Sequence, residues 1–360
     1  MTHEKRVLTG DRPTGRLHLG HYVGSIQNRL KLQADDGIST RLYMVADVQA
    51  LTDNYDNPAK VRDNILQVVI DNMACGLDPA RTTMFVQSMV PEIAELTVLF
   101  MNLVTVNRLL QNPTVRLEIL EKGWGAPKIE LAPGLVSQHT DLSRPGVPAG
   151  FVCYPVSQAA DILFARANII PVGADQRPMI EQTNEIAETF NRIYNTDLFQ
   201  HVDIVVGETS RLVGIDGNAK MSKSLGNTIY LSSTREEITA QVRKAFTCPS
   251  KVRVEDEVSE EELAGNVVFQ YLDIFDTDTA YVADLKERYK SGKVGDMEGK
   301  NRLVDVLDGI IAPIRARRHE LEADLPAIER ILQNGIADAR AIAADTMNRV
   351  RTAMGINYFV

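Results

Sequence analysis

From Arg6 to Val206 the chain alternates short apolar segments of strand length with longer segments in which apolar residues recur at helical spacing. The strand-like segments are 6–10, 41–46, 82–86, 169–172 and 202–206. The helical segments begin near His18, Pro58, Pro91, Tyr154 and Arg177. Such alternation indicates βαβ units with parallel strands and right-handed crossovers. We therefore predict an α/β fold with a Rossmann-type, doubly wound parallel sheet.

The strand pattern stops at about Ser233, and the remaining chain has only helical periodicity. One apolar stripe consists of Leu303, Val306, Leu307, Ile310, Ile311 and Ile314, and a second of Ala343, Met347, Val350 and Met354. We predict a Rossmann-type domain over 1–232 and an all-helical C-terminal domain over 233–360. An insertion is expected at about 111–150, where glycine and proline become frequent from Gly123 onward and where the single tryptophan, Trp124, lies.

The composition is that of an ordinary globular protein, with 44% hydrophobic and 24% charged residues. No apolar run is long enough to cross a membrane, and the N-terminus lacks a signal-peptide pattern. Cys75, Cys153 and Cys248 lie far apart, which predicts free thiols in a reducing compartment and a cytoplasmic protein. The net charge of −9 argues mildly against nucleic acid as a partner, although one basic face suffices for a transient RNA contact.

The first segment with chemical character is His18-Leu19-Gly20-His21, which follows the first strand and the turn from Gly10 to Gly15. A strand, a glycine-containing turn and a helix N-terminus together bind phosphate groups through backbone N–H groups. His18 and His21 are three residues apart, so both imidazoles can donate to phosphate oxygens from one side of the helix. A metal pair or two solvated histidines are the alternatives. Because no third ligand lies nearby, we predict no metal site.

The second segment is Lys220-Met221-Ser222-Lys223-Ser224, which follows a glycine-containing loop from Gly214 to Ala219. Two lysines three residues apart can close on a polyphosphate as point charges. For the lysine pair alone, a solvated basic loop is the simpler interpretation. The presence of both segments, in this order, in a parallel α/β chain favours a nucleoside triphosphate site.

Together the two segments resemble the signatures of the class I aminoacyl-tRNA synthetases, and the flanking residues resemble the tryptophanyl members of that family. Those flanking residues are Gly10–Gly15, Val172–Gln176, Ile180–Thr183 and Ala219–Met221, and the similarity extends over essentially the whole chain. The resemblance implies a Rossmann-type catalytic domain, a helical anticodon-binding domain and a homodimer. It also implies that L-tryptophan and ATP form tryptophanyl-adenylate, from which tryptophan passes to tRNA(Trp). Mg²⁺ would arrive with ATP, without a dedicated protein site.

The resemblance also assigns expected roles to individual residues. The catalytic set would be His18, His21, Lys220 and Lys223. The ATP site would comprise Arg12, Pro13, Thr14, Gly20, His21, Gly173, Ala174, Asp175, Leu212, Lys220, Met221, Ser222, Lys223 and Ser224. Asp161 would accept a hydrogen bond from the indole N–H, Tyr154 and Gln176 would bind the α-amino end, and Gln158 and Gln49 would be further pocket residues.

The residues themselves are compatible with a pocket on the helix that carries Asp161. Tyr154, Gln158 and Asp161 are spaced i, i+4 and i+7, so they share one helix face. An aspartate on an apolar stretch is costly when buried unless it has a partner, whereas a helix-surface aspartate needs none. Both interpretations of Asp161 remain open from the sequence.

Two residues depart from the pattern of many bacterial tryptophanyl enzymes, which have Asn at the position of His21 and Met at that of Gln158. The second departure brings the tyrosine–glutamine–aspartate pattern close to that of the tyrosyl enzymes, the nearest alternative. A non-catalytic paralogue that binds tRNA or tryptophan without activating it is another alternative. A small adenylyltransferase is disfavoured by the lysine segment and the C-terminal helices.

The densest basic cluster of the helical region consists of Arg315, Arg317, Arg318 and His319. It is either a tRNA contact or a solvated helix face. Anticodon recognition uses unstacked bases held by side-chain edges and by aromatic or arginine planes. The sequence does not indicate which residues would do this.

Overall fold

A computed structural model describes residues 4–124, 146–173, 176–207, 212–217, 221 and 225–359. Within them, five parallel strands form one sheet in the order β3-β2-β1-β4-β5. The strands are β1 (Arg6–Asp11), β2 (Thr40–Val45), β3 (Thr83–Val86), β4 (Ile169–Pro171) and β5 (Asp203–Val205). Each lies within two residues of a predicted strand, and the predicted parallel, doubly wound sheet is confirmed.

The first ten helices lie between and around the strands. They are α1 (Leu19–His21), α2 (Gln27–Ala34), α3 (Asp47–Leu51), α4 (Pro58–Asp63), α5 (Ile65–Ala74), α6 (Glu92–Met101), α7 (Val106–Gln111), α8 (Pro113–Glu121), α9 (Ala149–Leu163) and α10 (Arg177–Ile193). The predicted helical C-terminal region is confirmed. It contains α11 (Arg235–Arg243), α12 (Glu260–Ala264), α13 (Val267–Phe275), α14 (Thr279–Lys290), α15 (Asp296–Glu322) and α16 (Leu325–Met354).

The central strand β1 is where the sheet changes its direction of winding. Its residues pair with β2 from Arg6↔Thr40 to Asp11↔Val45, and Val7 pairs with Ile169 of β4 on the other side. The chain thus leaves β1 toward one edge of the sheet and later returns to fill the other. In open α/β sheets, ligands bind in the crevice outside the carboxyl ends of the strands at such a point.

The helix predicted to begin near His18 is not regular. A π-helical turn over Tyr22–Ile26 separates α1 from α2, and the Gln27 N–H bonds to the Tyr22 carbonyl across it. A π turn inserts one extra residue into a helix and is often found at functional sites. Apolar periodicity does not reveal such an insertion, because the residues on either side of it remain helical.

The predicted insertion at 111–150 contains a helix of its own. Asn112 caps α8 by accepting the Thr114 N–H at 3.0 Å, and Pro113 occupies the first helical position. The following helix α9 begins at Ala149, five residues before the predicted start, and continues through Pro155. Residues 125–145, which make up most of the insertion, lie outside the described residues.

The C-terminal helices close the edge of the sheet. Helix α16 packs against the edge strand β3, and Gly335 lies so close to it that an added Cβ would be 1.9 Å from the Met84 carbonyl oxygen. A covered edge strand cannot pair with another chain. The same apolar core contains Val23 and Val68 beside the sheet and Leu307 and Ile328 of the last two helices. The helical region therefore shares apolar packing with the sheet region.

Replacing Gly335 with alanine should destabilise the protein, because the new methyl group would overlap backbone atoms of β3. Overpacking of this kind costs about 1–3 kcal/mol or more. Gly309 is a matched control, since it is exposed within α15 and an added Cβ would have no neighbour within 4 Å. Gly309→Ala should raise the free energy of unfolding by up to about 1 kcal/mol through helix propensity. Urea unfolding of both variants tests this, and equal effects would contradict the packing described for Gly335.

Candidate active site

The histidine segment sits at the carboxyl end of β1. His18 caps α1, where its Nδ1 accepts the Gly20 N–H at 3.1 Å, while His21 Nδ1 accepts the His18 N–H at 3.3 Å. In a neutral imidazole whose Nδ1 is an acceptor, the proton resides on Nε2. Both rings, whose centroids are 3.9 Å apart, are thereby fixed as Nε2–H donors.

The residues that follow the lysine segment in the chain pair with the histidine segment. The Leu19 N–H donates to the Ile229 carbonyl and the Leu231 N–H to the Leu17 carbonyl, each at 3.0 Å. Tyr230 and His18 form the antiparallel bridge between these two bonds. Two parts of the chain more than 200 residues apart are therefore joined beside the histidine pair.

Part of the lysine segment itself can be placed. Met221 is buried beside the glycine of the histidine segment, with its sulfur 3.7 Å from where a Cβ of Gly20 would be. Its N–H donates to the carbonyl of Leu212, which is also buried. The other members of this predicted site, Lys220, Ser222, Lys223 and Ser224, lie outside the described residues.

The other predicted ATP residues that the structure describes lie at the same, carboxyl end of the sheet. Pro13 is buried in the turn after β1, the Thr14 N–H donates to the Arg12 carbonyl at 2.8 Å, and Gly15 has a φ of 131° that favours glycine. Gly173 follows the neighbouring strand β4, and its carbonyl accepts the Gln176 N–H at 3.0 Å at the start of α10. Because β1 and β4 are adjacent and parallel, the turns that follow these two strands lie side by side at the carboxyl end of the sheet. Ala174 and Asp175 lie outside the described residues.

A buried polar network, not identified from the sequence, supports the end of β1. The Asp11 carboxylate accepts hydrogen bonds from the Arg29 guanidinium at 2.5 and 2.9 Å, the Tyr43 hydroxyl at 3.1 Å and the Asn72 amide at 3.0 Å. Burial raises the pKa of Asp11, but the Arg29 charge and these hydrogen bonds outweigh it and hold the pKa below its usual value. The network fixes α2 and α5 against the strand from which the turn departs.

A second carboxylate lies at the centre of the predicted amino-acid pocket. Asp161 is 2% exposed, and its two oxygens accept hydrogen bonds from the Gln49 amide at 3.1 Å and the Gln87 amide at 2.6 Å. Burial raises its pKa to about 7, although both hydrogen bonds act in the opposite direction. Asp161 is therefore a buried, hydrogen-bonded aspartate and not a helix-surface residue.

Gln87 was not identified from the sequence. It directly follows β3, its side chain is 2% exposed, and its carbonyl oxygen accepts the backbone N–H of Gln49 at 3.1 Å. A polar residue at the carboxyl end of an apolar parallel strand was the available signal, because such positions face the ligand crevice. Gln49 and Gln87 are therefore hydrogen-bonded to each other as well as to Asp161.

The other end of the same helix face meets α8. The Tyr154 hydroxyl donates to Glu118 Oε2 at 3.1 Å, and Gln158, one turn further along, is half-buried. Near them Asp53 forms ion pairs with Arg12 and, at 3.2 Å, with Lys122. Arg12 of the predicted ATP site is therefore linked through Asp53 to the helix that contacts Tyr154. None of Asp53, Glu118 and Lys122 was identified from the sequence.

Two members of the predicted basic cluster of the helical region have internal partners. Arg318 is 5% exposed and pairs with Asp71 of α5, while Arg315 donates to the Ser233 carbonyl at 2.5 Å. A buried guanidinium paired with a carboxylate is not available to bind RNA. For Arg318, the interpretation of the cluster as either an RNA contact or a solvated face is therefore wrong.

The described part of the chain has neither a metal-binding cluster nor a membrane-spanning helix. No group of three or more His, Cys, Asp or Glu side chains there is arranged to hold a metal ion. None of the helices in that part is both long and apolar enough to span a membrane.

The sheet order, the turn after β1 and the two histidines define a nucleotide-binding enzyme of the Rossmann type. A family model described as class I tRNA synthetases (W and Y) matches residues 1–311. The chain therefore belongs to the class I tRNA synthetases that include the tryptophan and tyrosine enzymes.

The curated relatives of the chain include tryptophan–tRNA ligases. The tryptophan–tRNA ligase of Streptococcus pyogenes is 45% identical over 358 residues, which are 98% of this chain and 98% of the relative. The tryptophan–tRNA ligase of Streptococcus agalactiae is 44% identical over the same length. Among solved structures, the tryptophanyl-tRNA synthetase of Campylobacter jejuni, complexed with ADP and tryptophan, is similar with a TM-score of 0.77 and 27% identity. That similarity covers 97% of this chain and 99% of the other.

The raised pKa of Asp161 predicts a pH dependence of stability. A carboxyl whose pKa is about 7 in the folded protein and about 4 in the unfolded chain binds more protons when folded between those values. Its contribution to stability is therefore largest below about pH 4 and is lost as the pH rises through about 7. Urea unfolding across this range should show that wild-type stability relative to Asp161→Asn falls with rising pH. The exposed Asp197→Asn serves as control and should parallel the wild type. An unchanged difference between wild type and Asp161→Asn would contradict the raised pKa.

Proposed function

We propose that the chain is a tryptophan–tRNA ligase that activates L-tryptophan with ATP and transfers it to tRNA(Trp). The observation that carries the substrate assignment is Asp161, a buried carboxylate fixed by two amides on the face of α9 that also carries Tyr154. The curated relatives at 44–45% identity favour tryptophan over tyrosine. The intact signatures disfavour a non-catalytic paralogue.

The dimensions of α9 fit this substrate. Asp161 and Tyr154 are seven residues apart, which is about 10.5 Å along a helix with a 1.5 Å rise per residue. A tryptophan that donates its indole N–H at one end and its α-ammonium group at the other, with a hydrogen bond of about 2.9 Å at each, spans a comparable length. The indole N–H would bond to Asp161, and the ammonium group would lie at Tyr154 and Gln176. Gln158 lies between them and would contact the indole ring.

A buried carboxylate also explains why phenylalanine would be rejected. Phenylalanine has no N–H at the corresponding position, so its binding would leave the Asp161 oxygens without the donor that replaces water. Sites built to bond a substrate N–H or O–H discriminate against analogues that lack it by about 10⁴–10⁵. Tyrosine has an O–H that Asp161 could accept, so discrimination against it depends on the length and width of the pocket.

In the first reaction the tryptophan carboxylate attacks the α-phosphorus of ATP, and the bond to the β-phosphate oxygen breaks. Tryptophanyl-adenylate forms and pyrophosphate leaves, and Mg²⁺ carried in with ATP would help to neutralise its charge. The Nε2–H groups of His18 and His21 would donate to phosphate oxygens, and Lys220 and Lys223 would neutralise the departing pyrophosphate. Arg12, Gly20, Gly173 and Asp175 would position the nucleotide, because catalysis of this kind depends mainly on orientation and charge.

In the second reaction a ribose hydroxyl at the 3′ end of tRNA attacks the carbonyl carbon of the adenylate, and AMP leaves. The helical region after Ser233 would contact the tRNA. We place the enzyme in the cytoplasm, in agreement with three cysteines that are free thiols.

Amino-acid-dependent pyrophosphate exchange tests this function. The wild type should exchange with tryptophan and, at equal concentration, far more slowly with tyrosine. Lys223→Ala should lower the exchange rate on the order of 10²-fold, the scale of removing one transition-state charge partner, without weakening tryptophan binding measured by calorimetry.

Lys244→Ala is the matched control, because this exposed lysine follows α11 in the same part of the sequence. It should leave both quantities unchanged. Faster exchange with tyrosine than with tryptophan would support the tyrosyl alternative, and absence of exchange with both would support a non-catalytic paralogue. Equal losses of rate and affinity in Lys223→Ala would contradict the proposed role of the lysine.

We also propose that the enzyme is a homodimer formed through helices α6 to α8. Exposed apolar side chains concentrate on these helices: Val98 (60%), Met101 (40%), Val106 (54%), Leu117 (57%) and Leu120 (69%). A group of exposed apolar side chains on neighbouring helices is a feature of protein–protein interfaces. A second copy of the chain would cover it.

Leu120→Asp should convert the dimer into a monomer, because a carboxylate would be buried in the interface without a partner. Size-exclusion chromatography with light scattering measures the mass directly. Val252→Asp, at an 85% exposed valine outside this surface, is the control and should keep the wild-type mass. A monomeric wild type, or a Leu120→Asp variant that remains dimeric, would contradict this interface.

A further inference from the structure

We infer that Glu118 is the anionic partner of the substrate's α-ammonium group, an inference that rests on the proposed amino-acid pocket of α9. Tyr154 and Gln176, which the family resemblance places at that end, are neutral side chains. An ammonium group carries a full positive charge and is costly to take out of water unless an opposite charge meets it. Asp161 is two helical turns away from Tyr154, at the indole end.

The contact between Glu118 and Tyr154 places a carboxylate at the ammonium end of the pocket. Tyr154 donates its hydroxyl hydrogen to Glu118 Oε2 at 3.1 Å. A carboxylate has about four acceptor positions and the tyrosine uses one, so both Glu118 and the tyrosine oxygen can still accept N–H groups. An ammonium group, which has three N–H donors, can bond both at once.

Asp53 is the neighbouring carboxylate, but its two oxygens already have cationic partners. One oxygen pairs with Arg12 and the other with Lys122 at 3.2 Å. Glu118 forms no ion pair with any of the described residues. Burial raises its pKa, and although the nearby charges of Arg12 and Lys122 act to lower the pKa, the burial effect is larger. Among the described residues the carboxylate thus has no cation within ion-pair distance, and the substrate would supply one.

Glu118 is held in place by packing. Ile119, the next residue of α8, is buried in a small cluster with Val115 and with Phe151 of α9. The Phe151 ring packs edge-on against Tyr154, with a centroid separation of 5.3 Å. The cluster therefore fixes α8 and α9 relative to each other on the side where the tyrosine and the glutamate meet, so that the carboxylate is preorganised for a cation.

Two tryptophan analogues separate a charge partner from a structural residue. Tryptamine keeps the ammonium group and lacks the carboxylate, whereas indole-3-propionate keeps the carboxylate and lacks the ammonium group. Glu118→Gln removes the charge but keeps an oxygen that can accept the Tyr154 hydroxyl. It should raise the KM for tryptophan and the inhibition constant of tryptamine on the order of 10-fold or more, and leave that of indole-3-propionate unchanged.

Glu121→Gln, at an exposed position near the end of α8, is the matched control and should behave as the wild type. Equal weakening of both analogues by Glu118→Gln would overturn the inference, because a distorted pocket has no reason to distinguish them. Unchanged binding of all three ligands would also overturn it. A separate variant, Asp161→Ala, tests the pocket itself: if tryptophan binding survives that change, the proposed pocket fails, whereas if only Glu118→Gln is without effect, the pocket stands and Glu118 has no such role.

Discussion

The carboxylate of Asp71 on α5 joins three parts of the molecule that are distant in sequence. One oxygen accepts the backbone N–H of Leu17 at 2.8 Å, and the other pairs with Arg318 of α15, which also contacts Gln67. Leu17 directly precedes the histidine segment. Asp71 thus fixes the start of that segment to the helix behind the sheet and to the C-terminal helices. Removal of one partner would leave a buried charge uncompensated, a loss of about 3–5 kcal/mol for such pairs.

The pair of Asp71 and Arg318 joins the two predicted domains. Arg318 lies in the helical region and Leu17 in the sheet region, and the apolar core continues between them through Val68 and Leu307. Buried ion pairs contribute more to defining one arrangement than to net stability, since desolvation offsets much of the attraction. The position of α15 is therefore specified relative to the histidine segment. A shift of α15 would have to break the Asp71 pair or move the histidine segment with it.

Much of the fold was predictable from the sequence because its signals are local. Each strand is a short apolar run bounded by turn residues, and the long amphipathic pattern of α10 predicted its start at Arg177. The π turn after His21 and the start of α9 at Ala149 were not predictable, since helical periodicity continues through the first and the proline-rich residues before α9 suggest a loop. The covering of β3 by α16 depends on Gly335 meeting a strand some 250 residues earlier, which no local pattern encodes.

The same distinction applies to the candidate site. Asp161 and Tyr154 were expected at the amino-acid pocket through the family resemblance, with which their shared helix face is compatible. The histidine and lysine segments are recognisable by their spacing. Gln87 and Glu118 could not be predicted from the sequence, because each is defined by a contact with a residue on another element. Gln87 donates to Asp161, and Glu118 accepts from Tyr154. Gln87 is buried and donates to a carboxylate, so its replacement would leave Asp161 short of a donor.

The contacts of Arg12 indicate how a nucleotide could bind at a predicted site whose arginine is already paired with a carboxylate. The Arg12 side chain is 41% exposed and that of Lys122 31% exposed, and ion pairs of this exposure contribute little to stability. Arg12 can therefore exchange the Asp53 carboxylate for a polyphosphate at small cost. The ionic contacts around Asp53 are thus the parts of the proposed site best able to adjust to ATP, while Asp161 is held by its two amides.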